Sequence, residues 1–527
     1  MKIEKKNPFY VSTPIFYANG KAHIGHTYAM LVAELLRNYR QQTGFDTFFV
    51  TGSDEHGEKM QKSALKEGMS PKEWVDLNSE SFRQTWKSFD FSHDLFYRTT
   101  QKDHYELVSK VLERLFAQED IYFAEYEGRY CVGCERFLTE AELNEDSLCI
   151  DHLTEPQVRK EANYFFKMQK YQEELLAFLA KNPNSVEPKR YMTELLSLLK
   201  EPVGDLCISR PKTRCEWGIE LPFDQKYVTY VWFDALLNYL GALGYLGGDP
   251  QEPNSWKADN RQDFWPNVHH VIGKDILKTH GIYWPTMLLA MGFSPFKKLF
   301  VSGFWTVSGQ KMSKSLGNVL DPMEVAKEYG FEYLKYYMLR EMSFGEDASF
   351  QEESFFNRCN ADLAGGIANL CARTLNLVKK NFEDGIDLDI DETEAEKSLL
   401  TELASTPVEM SKYLDKCQFH KALAEFSKGV AACDRYINEK KPWSLAKDPK
   451  QREELQIVLA TAIKCLWTLG VVMAPFFPDK SKTLLRVLGQ PDGAQLPAWQ
   501  DFRAYPKMKV KIEELPRLFE RILPPEA

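Results

Sequence analysis

Positive charge is in short supply in this chain. Its 66 Lys and Arg face 76 Asp and Glu, a net charge of −10. That balance excludes a sequence-blind coat for nucleic acid, though not nucleic-acid binding through a local basic face. Cysteine is sparse as well, at 10 in 527 residues. Seven stand singly, at Cys207, Cys215, Cys359, Cys371, Cys417, Cys433 and Cys465, which argues against a disulfide framework and for a reducing compartment. The first residues carry no apolar signal region, and no apolar run is read as long enough to span a bilayer. The expectation is a soluble cytoplasmic protein with no membrane partner. Low-complexity tracts and short repeats are missing too. Apolar residues make up 44% and aromatic ones 13%, enough for large cores, and the length suggests about two to four domains.

The first hundred residues alternate between strand and helix patterns. Phe9-Tyr-Val-Ser-Thr is short, aromatic and β-branched, and reads as a buried strand closed by Pro14. Ala18 to Lys21 reads as a turn, and a helix follows from Ile24 with apolar Met30, Leu31, Leu35 and Leu36. His23-Ile-Gly-His26 therefore sits where a helix begins. Unpaired N–H groups and partial positive charge at such an end suit a phosphate, and two imidazoles add donors for developing negative charge. Gly25 removes a side chain where a nucleotide could approach. Thr47 to Gly57 runs from apolar residues into a polar loop, the form of a buried parallel strand whose carboxyl end faces ligands. Asp54 there suits an ammonium group; capping of the next helix is the plainer alternative, and Glu55 and His56 are left open. Helices are expected over Pro71–Phe89 and His104–Gln118.

From about residue 119 the pattern changes. Tyr122 to Tyr130 alternates like a hairpin strand. Then come Cys131-Val-Gly-Cys134 and Cys149-Ile-Asp-His152. Two residues separate the members of each pair, so each can close a tight knuckle on one ion. Three thiolates and an imidazole make a closed tetrahedral zinc site, and a closed site is structural. Residues 170–200 read as helical with a break at Pro183 and Pro188.

Strand and helix alternation resumes near 231. Val228 to Phe233 leads into a helix carrying Trp232, Ala235 and Tyr239. Val268 to Gly273 is a second strand, followed by a helix from Ile276 to Met291 carrying His280 and Trp284. Both groups start just past a strand end, so both can line one crevice. Ser308-Gly309 reads as a hairpin turn. Lys311-Met-Ser-Lys-Ser315 follows, a loop whose lysines and hydroxyls can track a polyphosphate. After about 350 the chain reads as an antiparallel helical bundle, with helices over 355–380, 394–414, 419–439, 452–472 and 478–488. Asn369 and Arg373 share a helical face, and Trp443 ends another helix. Such groups can read unpaired bases, although on spacing alone a surface polar pair and a packing tryptophan are the better explanation.

Together these residues resemble the class I aminoacyl-tRNA synthetases. His23-Ile-Gly-His26 and Lys311-Met-Ser-Lys-Ser315 match the two signature motifs of that family, in order and separation, over about residues 8 to 520. The knuckle and crevice residues point to its methionine-activating branch with a single zinc. The resemblance implies an α/β fold: a split Rossmann-like nucleotide-binding domain with a parallel sheet, a zinc-knuckle insertion and a C-terminal helical bundle. The implied domains are 1–118 and 231–295 for the catalytic halves, 119–230 for the insertion, 296–350 for the loop-bearing stem-contact region, 351–505 for the anticodon-binding bundle and 506–527 for the tail. It implies ATP with Mg2+, L-methionine and tRNA(Met) as partners, and one structural Zn2+ on Cys131, Cys134, Cys149 and His152. His23, His26, Lys311 and Lys314 would serve adenylate formation, with Gly273 and Asp275 near the ATP ribose and Lys314 on its phosphates. Asp54 would hold the ammonium. Ile15, Tyr17, Trp232, Ala235, Tyr239, Ile276, His280 and Trp284 would shape the side-chain pocket. Asn369, Arg373 and Trp443 would read the anticodon. The dimerising domain of many bacterial members has no counterpart in the sequence, so a monomer is expected. Leu236 stands where some members carry proline.

Overall fold

The structure, a computed structural model, describes residues 7–131, 136–138, 143–150, 153–245, 261–307, 310–311 and 320–524. It divides into two compact units. One comprises Pro8–Ala33 and Phe48–Ser302, the other Met1–Asn7, Glu34–Thr47 and Gly303–Ala527.

The first unit is built on a six-stranded sheet in the order β3-β2-β1-β12-β13-β7. Its strands are β1 (Pro8–Tyr17), β2 (Asp46–Asp54), β3 (Leu95–Arg98), β7 (Val186–Glu187), β12 (Val268–Gly273) and β13 (Lys298–Ser302). β2 with β3, β1 with β12, β12 with β13 and β13 with β7 all run parallel. β1 and β2 are buried along most of their length, which is why they read as continuous rather than alternating apolar runs. Helices α1 (Ile24–Gln42), α2 (Glu58–Lys66), α3 (Pro71–Ser88) and α4 (Lys102–Ala117) connect the first three strands. From β1 the sequence leads to β2 on one side, while the much later β12 lies on the other. Such a reversal of strand order opens a crevice at the carboxyl ends, where open α/β sheets bind ligands. His23, Asp54 and Gly273 all follow or end strands there.

Between β3 and β12 lies an antiparallel insertion. β4 (Ile121–Cys131) pairs with β6 (Gln157–Phe166) from Ile121 opposite Phe166 to Tyr130 opposite Gln157. β5 (Arg136–Leu138) and β8 (Leu206–Cys207) flank them. A second small sheet has β11 (Asp224–Thr229) between β10 (Glu220–Leu221) and β9 (Ser209–Pro211). The remaining helices of this unit are α5 (Gln172–Lys181), α6 (Lys189–Leu198), α7 (Val231–Leu236), α8 (Asn238–Gly241) and α9 (Trp284–Ala290).

The second unit opens with the three-stranded sheet of β14 (Trp305–Val307), β15 (Gln310–Lys311) and β16 (Ala348–Phe350). Helices follow: α10 (Pro322–Tyr329), α11 (Phe331–Glu341), α12 (Glu352–Cys359), α13 (Asn369–Asn381), α14 (Glu394–Leu414), α15 (Phe419–Lys440), α16 (Pro442–Leu445), α17 (Arg452–Val472) and α18 (Pro478–Val487). Thr393 caps α14 through a reciprocal box with Glu396, and Pro478 starts α18. The bundle packs around α17, buried from Val458 to Val472.

Several local expectations change. Pro14 does not close β1, which continues to Tyr17; pairing with β12 covers only Tyr10 to Ser12, so the missing proline N–H lies beyond that ladder. The break at Pro183–Pro188 contains the edge strand β7. The helix expected from Ile276 opens with a 3-10 turn and contains a π-turn over Thr279–Tyr283 before α9. The helix expected over 355–380 is interrupted by a π-type segment, Asn360–Ala368, with a kink at Gly366 (φ −88°, ψ −106°), so Asn369 starts a new helix. One apolar run is in fact long enough for a bilayer: Pro449–Val472 qualifies by length and composition. With 89% of its most apolar window buried in the protein, it is the core of the bundle. The expected Ser308-Gly309 turn lies outside the described residues; β14 and β15 on either side pair antiparallel, Val307 opposite Gln310.

Candidate active site

His23 precedes the first turn of α1, and its ring folds back so that Nδ1 accepts the Gly25 N–H at 3.1 Å. The His23 N–H in turn donates to His26 Nδ1 at 3.3 Å. With Nδ1 an acceptor in both rings, the proton of each neutral imidazole sits on Nε2. The two rings stack at 3.6 Å between centroids. A Cβ on Gly25 would stand 3.0 Å from His23 Cε1, so glycine is what lets this imidazole lie over the helix start. The result is two N–H-bearing imidazoles at a helix N-terminus, a donor array suited to phosphate.

Gly273 ends β12. A Cβ there would fall 2.6 Å from Asp275 Oδ1, so the carboxylate turns back over bare backbone. Asp275 itself is exposed.

The expected methionine residues all belong to the first unit. Tyr239 and His280 are buried and joined at 2.8 Å between the phenol oxygen and Nε2. His280 Nδ1 lies 3.1 Å from the Ile276 carbonyl, which can only accept. Nδ1 therefore carries the proton, and the Tyr239 O–H donates to Nε2. Burial pushes the His280 imidazole down to about 4, so it is neutral at physiological pH. Burial, with the Asp54 carboxylate adding to it, raises the Tyr239 phenol. Trp284 packs 5.8 Å from the Tyr239 ring and donates from Nε1 to His270 Nε2 at 3.2 Å. Tyr17 meets Trp232 edge-on at 6.1 Å, and both remain partly exposed, as does Ile15. Ala235 is buried. An aromatic, uncharged surface beside one carboxylate suits an apolar side chain on an ammonium-bearing carbon.

Asp54 ends β2, 2% exposed, and its carbonyl accepts the Ala18 N–H at 3.0 Å. Its two neighbours are now resolved. Glu55 is fully buried and committed to Arg98, at 2.5 and 2.9 Å, and to Ser79 at 2.6 Å. His56 is bonded to Asp234 at 2.9 Å. Sequence reasoning passed over Asp234, His104 and His270. Each has a partner more than a hundred residues away along the chain, and the one usable signal was the position of Asp234 between Trp232 and Ala235.

Cys131 and Cys149 are buried in one small cluster with Leu138. Two buried thiols side by side fit the expected metal, whereas Cys134 and His152 lie outside the described residues. Among the described residues no group of three or more His, Cys, Asp or Glu could hold an ion. Lys314 lies outside them too, and Lys311 is described only as the end of β15.

In the second unit Asn369 is exposed at the start of α13. One turn on, Arg373 donates to Asp434 and Asn438, both at 2.8 Å, and its guanidinium stands over the Trp443 ring at 5.5 Å. Trp443 is 38% exposed. Arg373 and Trp443 thus form one surface, and Asn369 lies a turn away on the same helix.

A strand-order reversal carrying paired helix-start histidines is the arrangement expected of a class I tRNA synthetase. The family described as "tRNA synthetases class I (M)" matches residues 9–149 and 141–375, and the "Anticodon binding domain of methionyl tRNA ligase" matches residues 389–513. The methionine–tRNA ligase of Caldanaerobacter subterraneus is 39% identical, over 94% of this chain and 76% of that protein. That of Deinococcus radiodurans is 42% identical, over 91% and 70%. A solved Mycobacterium tuberculosis methionyl-tRNA synthetase in complex with methionyl-adenylate superimposes with a TM-score of 0.90 at 30% identity, covering 98% of this chain and 100% of that one. The chain belongs to the methionine–tRNA ligase family.

Proposed function

We propose that the groups gathered at the carboxyl ends of β1, β2 and β12 divide the chemistry of methionine activation among them. As a member of its family, the chain joins L-methionine to tRNA(Met) through methionyl-adenylate, at the expense of ATP. The methionine carboxylate attacks the α-phosphorus of Mg-bound ATP, the bond to the β-phosphate oxygen breaks, and pyrophosphate leaves. The 2′ hydroxyl of the terminal adenosine then attacks the adenylate carbonyl, and AMP leaves.

His23 and His26 donate from Nε2 to the phosphates as charge builds. Lys311 and Lys314 supply the balancing positive charge, Lys314 on the ATP phosphates, while Gly273 and Asp275 receive the ribose. Asp54 holds the ammonium. Tyr239, His280, Trp284, Ile276, Ala235, Trp232, Tyr17 and Ile15 surround the side chain. No protein nucleophile is needed; positioning and charge stabilisation carry the rate. The observation that carries this reading is the neutral Tyr239–His280 pair beside Asp54, which offers nothing to a charged side chain.

Cys131, Cys134, Cys149 and His152 would hold one zinc, which ties the insertion together without entering the reaction. Asn369, Arg373 and Trp443 read the anticodon. The domain division is that of the sequence: 1–118 and 231–295 catalytic, 119–230 inserted, 296–350 stem-contacting, 351–505 anticodon-binding and 506–527 a tail. A monomeric state and a cytoplasmic location belong to the same proposal. ATP–pyrophosphate exchange with a panel of amino acids tests it. Exchange is expected with methionine, and equal exchange with leucine or cysteine would overturn the pocket assignment.

A further inference from the structure

Next to the ammonium site lies a polar network that the reaction itself does not use. Asp234 has no exposed side-chain surface and faces two imidazoles, His56 Nδ1 at 2.9 Å and His104 Nε2 at 3.3 Å. The other nitrogen of each ring meets a phenol: His56 Nε2 lies 2.9 Å from Tyr105 Oη, and His104 Nδ1 lies 3.2 Å from Tyr97 Oη. One proton pattern satisfies every group. Each imidazole donates one N–H to the carboxylate and accepts one O–H from a tyrosine. Burial alone would raise the Asp234 carboxyl; the two imidazoles outweigh that and hold it below the ordinary carboxylate range.

The network joins four places in the fold, Tyr97 on β3 being one. His56 sits in the loop after β2, two residues from Asp54. Asp234 sits on α7 between Trp232 and Ala235. His104 and Tyr105 sit on α4. The same loop is held elsewhere by Glu55 on Arg98 and by the Trp217 indole on the Glu55 carbonyl at 2.5 Å. The His56–Asp234 bond ties it to the helix that carries the pocket wall. A buried charge of this kind costs several kcal/mol in desolvation, and apolar residues of similar volume often stabilise a fold as well. Its use is therefore in orientation rather than stability. A displacement of the order of 1 Å at a charged contact is enough to degrade binding and rate.

We propose that Asp234, acting through His56, is a positioning residue for recognition of the substrate ammonium: it locks the loop presenting Asp54 to the helix that walls the side-chain pocket. The proposal rests on the reading of Asp54 as the ammonium ligand.

The test is ATP–pyrophosphate exchange by the full chain, with 4-(methylsulfanyl)butanoate, which is methionine without its amine, as a competitive inhibitor. Asp234→Asn and His56→Ala are expected to raise the KM for methionine tenfold or more. The KM for ATP and the inhibition constant of the amine-free acid change less than twofold. His56→Asn, which keeps a donor at the Nδ1 position, recovers most of the loss. If the KM for methionine is unchanged, or if methionine and the amine-free acid weaken equally, the proposal is overturned. Should Asp234→Asn fail to fold, the His56→Ala and His56→Asn pair carries the same comparison. Asp54→Asn separates the two levels. If it too fails to distinguish methionine from the amine-free acid, the Asp54 reading is wrong. If it distinguishes them while Asp234→Asn does not, only the positioning role is wrong.

Discussion

Glu396 gives a prediction whose size can be worked from the structure. It stands in the first turn of α14, fully buried, with Lys440 Nζ at 2.8 Å, the Tyr436 hydroxyl at 2.6 Å and the Thr393 N–H at 3.1 Å. Burial would raise its carboxyl, but the Lys440 ammonium and the Thr393 and Tyr436 hydroxyls together pull it down to about 2. Against the ordinary 4.5, that corresponds to roughly 3 kcal/mol. A carboxyl lowered by folding stabilises the fold above its unfolded pKa. The contribution is therefore complete above pH 4.5 and is lost as pH falls from 4.5 towards 2. Lys440 ends α15, Lys441 follows in the left-handed region at φ 49°, and Pro442 and Trp443 come next. The pair thus anchors the elbow that presents Trp443. In Glu396→Gln, amide exchange of α14 and α15 at pH 7 should show protection lowered by roughly a hundredfold, the equivalent of about 3 kcal/mol. By pH 3.5 the gap between wild type and variant should narrow by about 1.4 kcal/mol. Equal protection at pH 7, or a gap that stays constant down to pH 3.5, would refute the reasoning.

Other predictions concern the sites themselves. Tyr239→Phe leaves the buried His280 Nε2 without its donor, at a cost of about 1–3 kcal/mol; the KM for methionine in exchange should rise roughly 5- to 100-fold, and a change under twofold would count against the pair. On the proposed ligand set, the chain should carry one zinc and Cys131→Ser should lose it; metal analysis that still finds a full equivalent in the variant would contradict that set. Trp443→Ala should impair tRNA charging at least tenfold more than exchange, since the tryptophan and Arg373 form a surface far from the adenylate in sequence. Equal losses in both assays would argue against anticodon reading.

What was legible in the sequence follows physical range. Helices α14, α15, α17 and α18 start and stop within a residue or two of their expected bounds, whereas Trp443, expected to end a helix, lies in the short α16 that follows the left-handed Lys441. Their signals are local: the Thr393–Glu396 box, the apolar period and the proline at 478. The edge strand β7 is two residues long, too short for any period to register. The π-turn over Thr279–Tyr283 and the kink at Gly366 lie inside runs whose composition remains helical, so tertiary packing and not propensity decides them. The signature histidines stood out because they lie together at one helix start. The His56–Asp234 bond joins residues 178 apart, and nothing near either one announces the other. Long-range polar pairing of this kind is what sequence reading misses.

Every site assignment above serves one activity, methionine-specific charging of initiator and elongator tRNA(Met). Its most direct test is to incubate the chain with ATP, unfractionated tRNA and each labelled amino acid in turn. The prediction is that only methionine becomes acid-precipitable on tRNA, that the acceptor is tRNA(Met), and that AMP and pyrophosphate appear in equal amounts with each charging event. Label from leucine or cysteine on tRNA at a comparable rate, or no charging at saturating methionine, would contradict it.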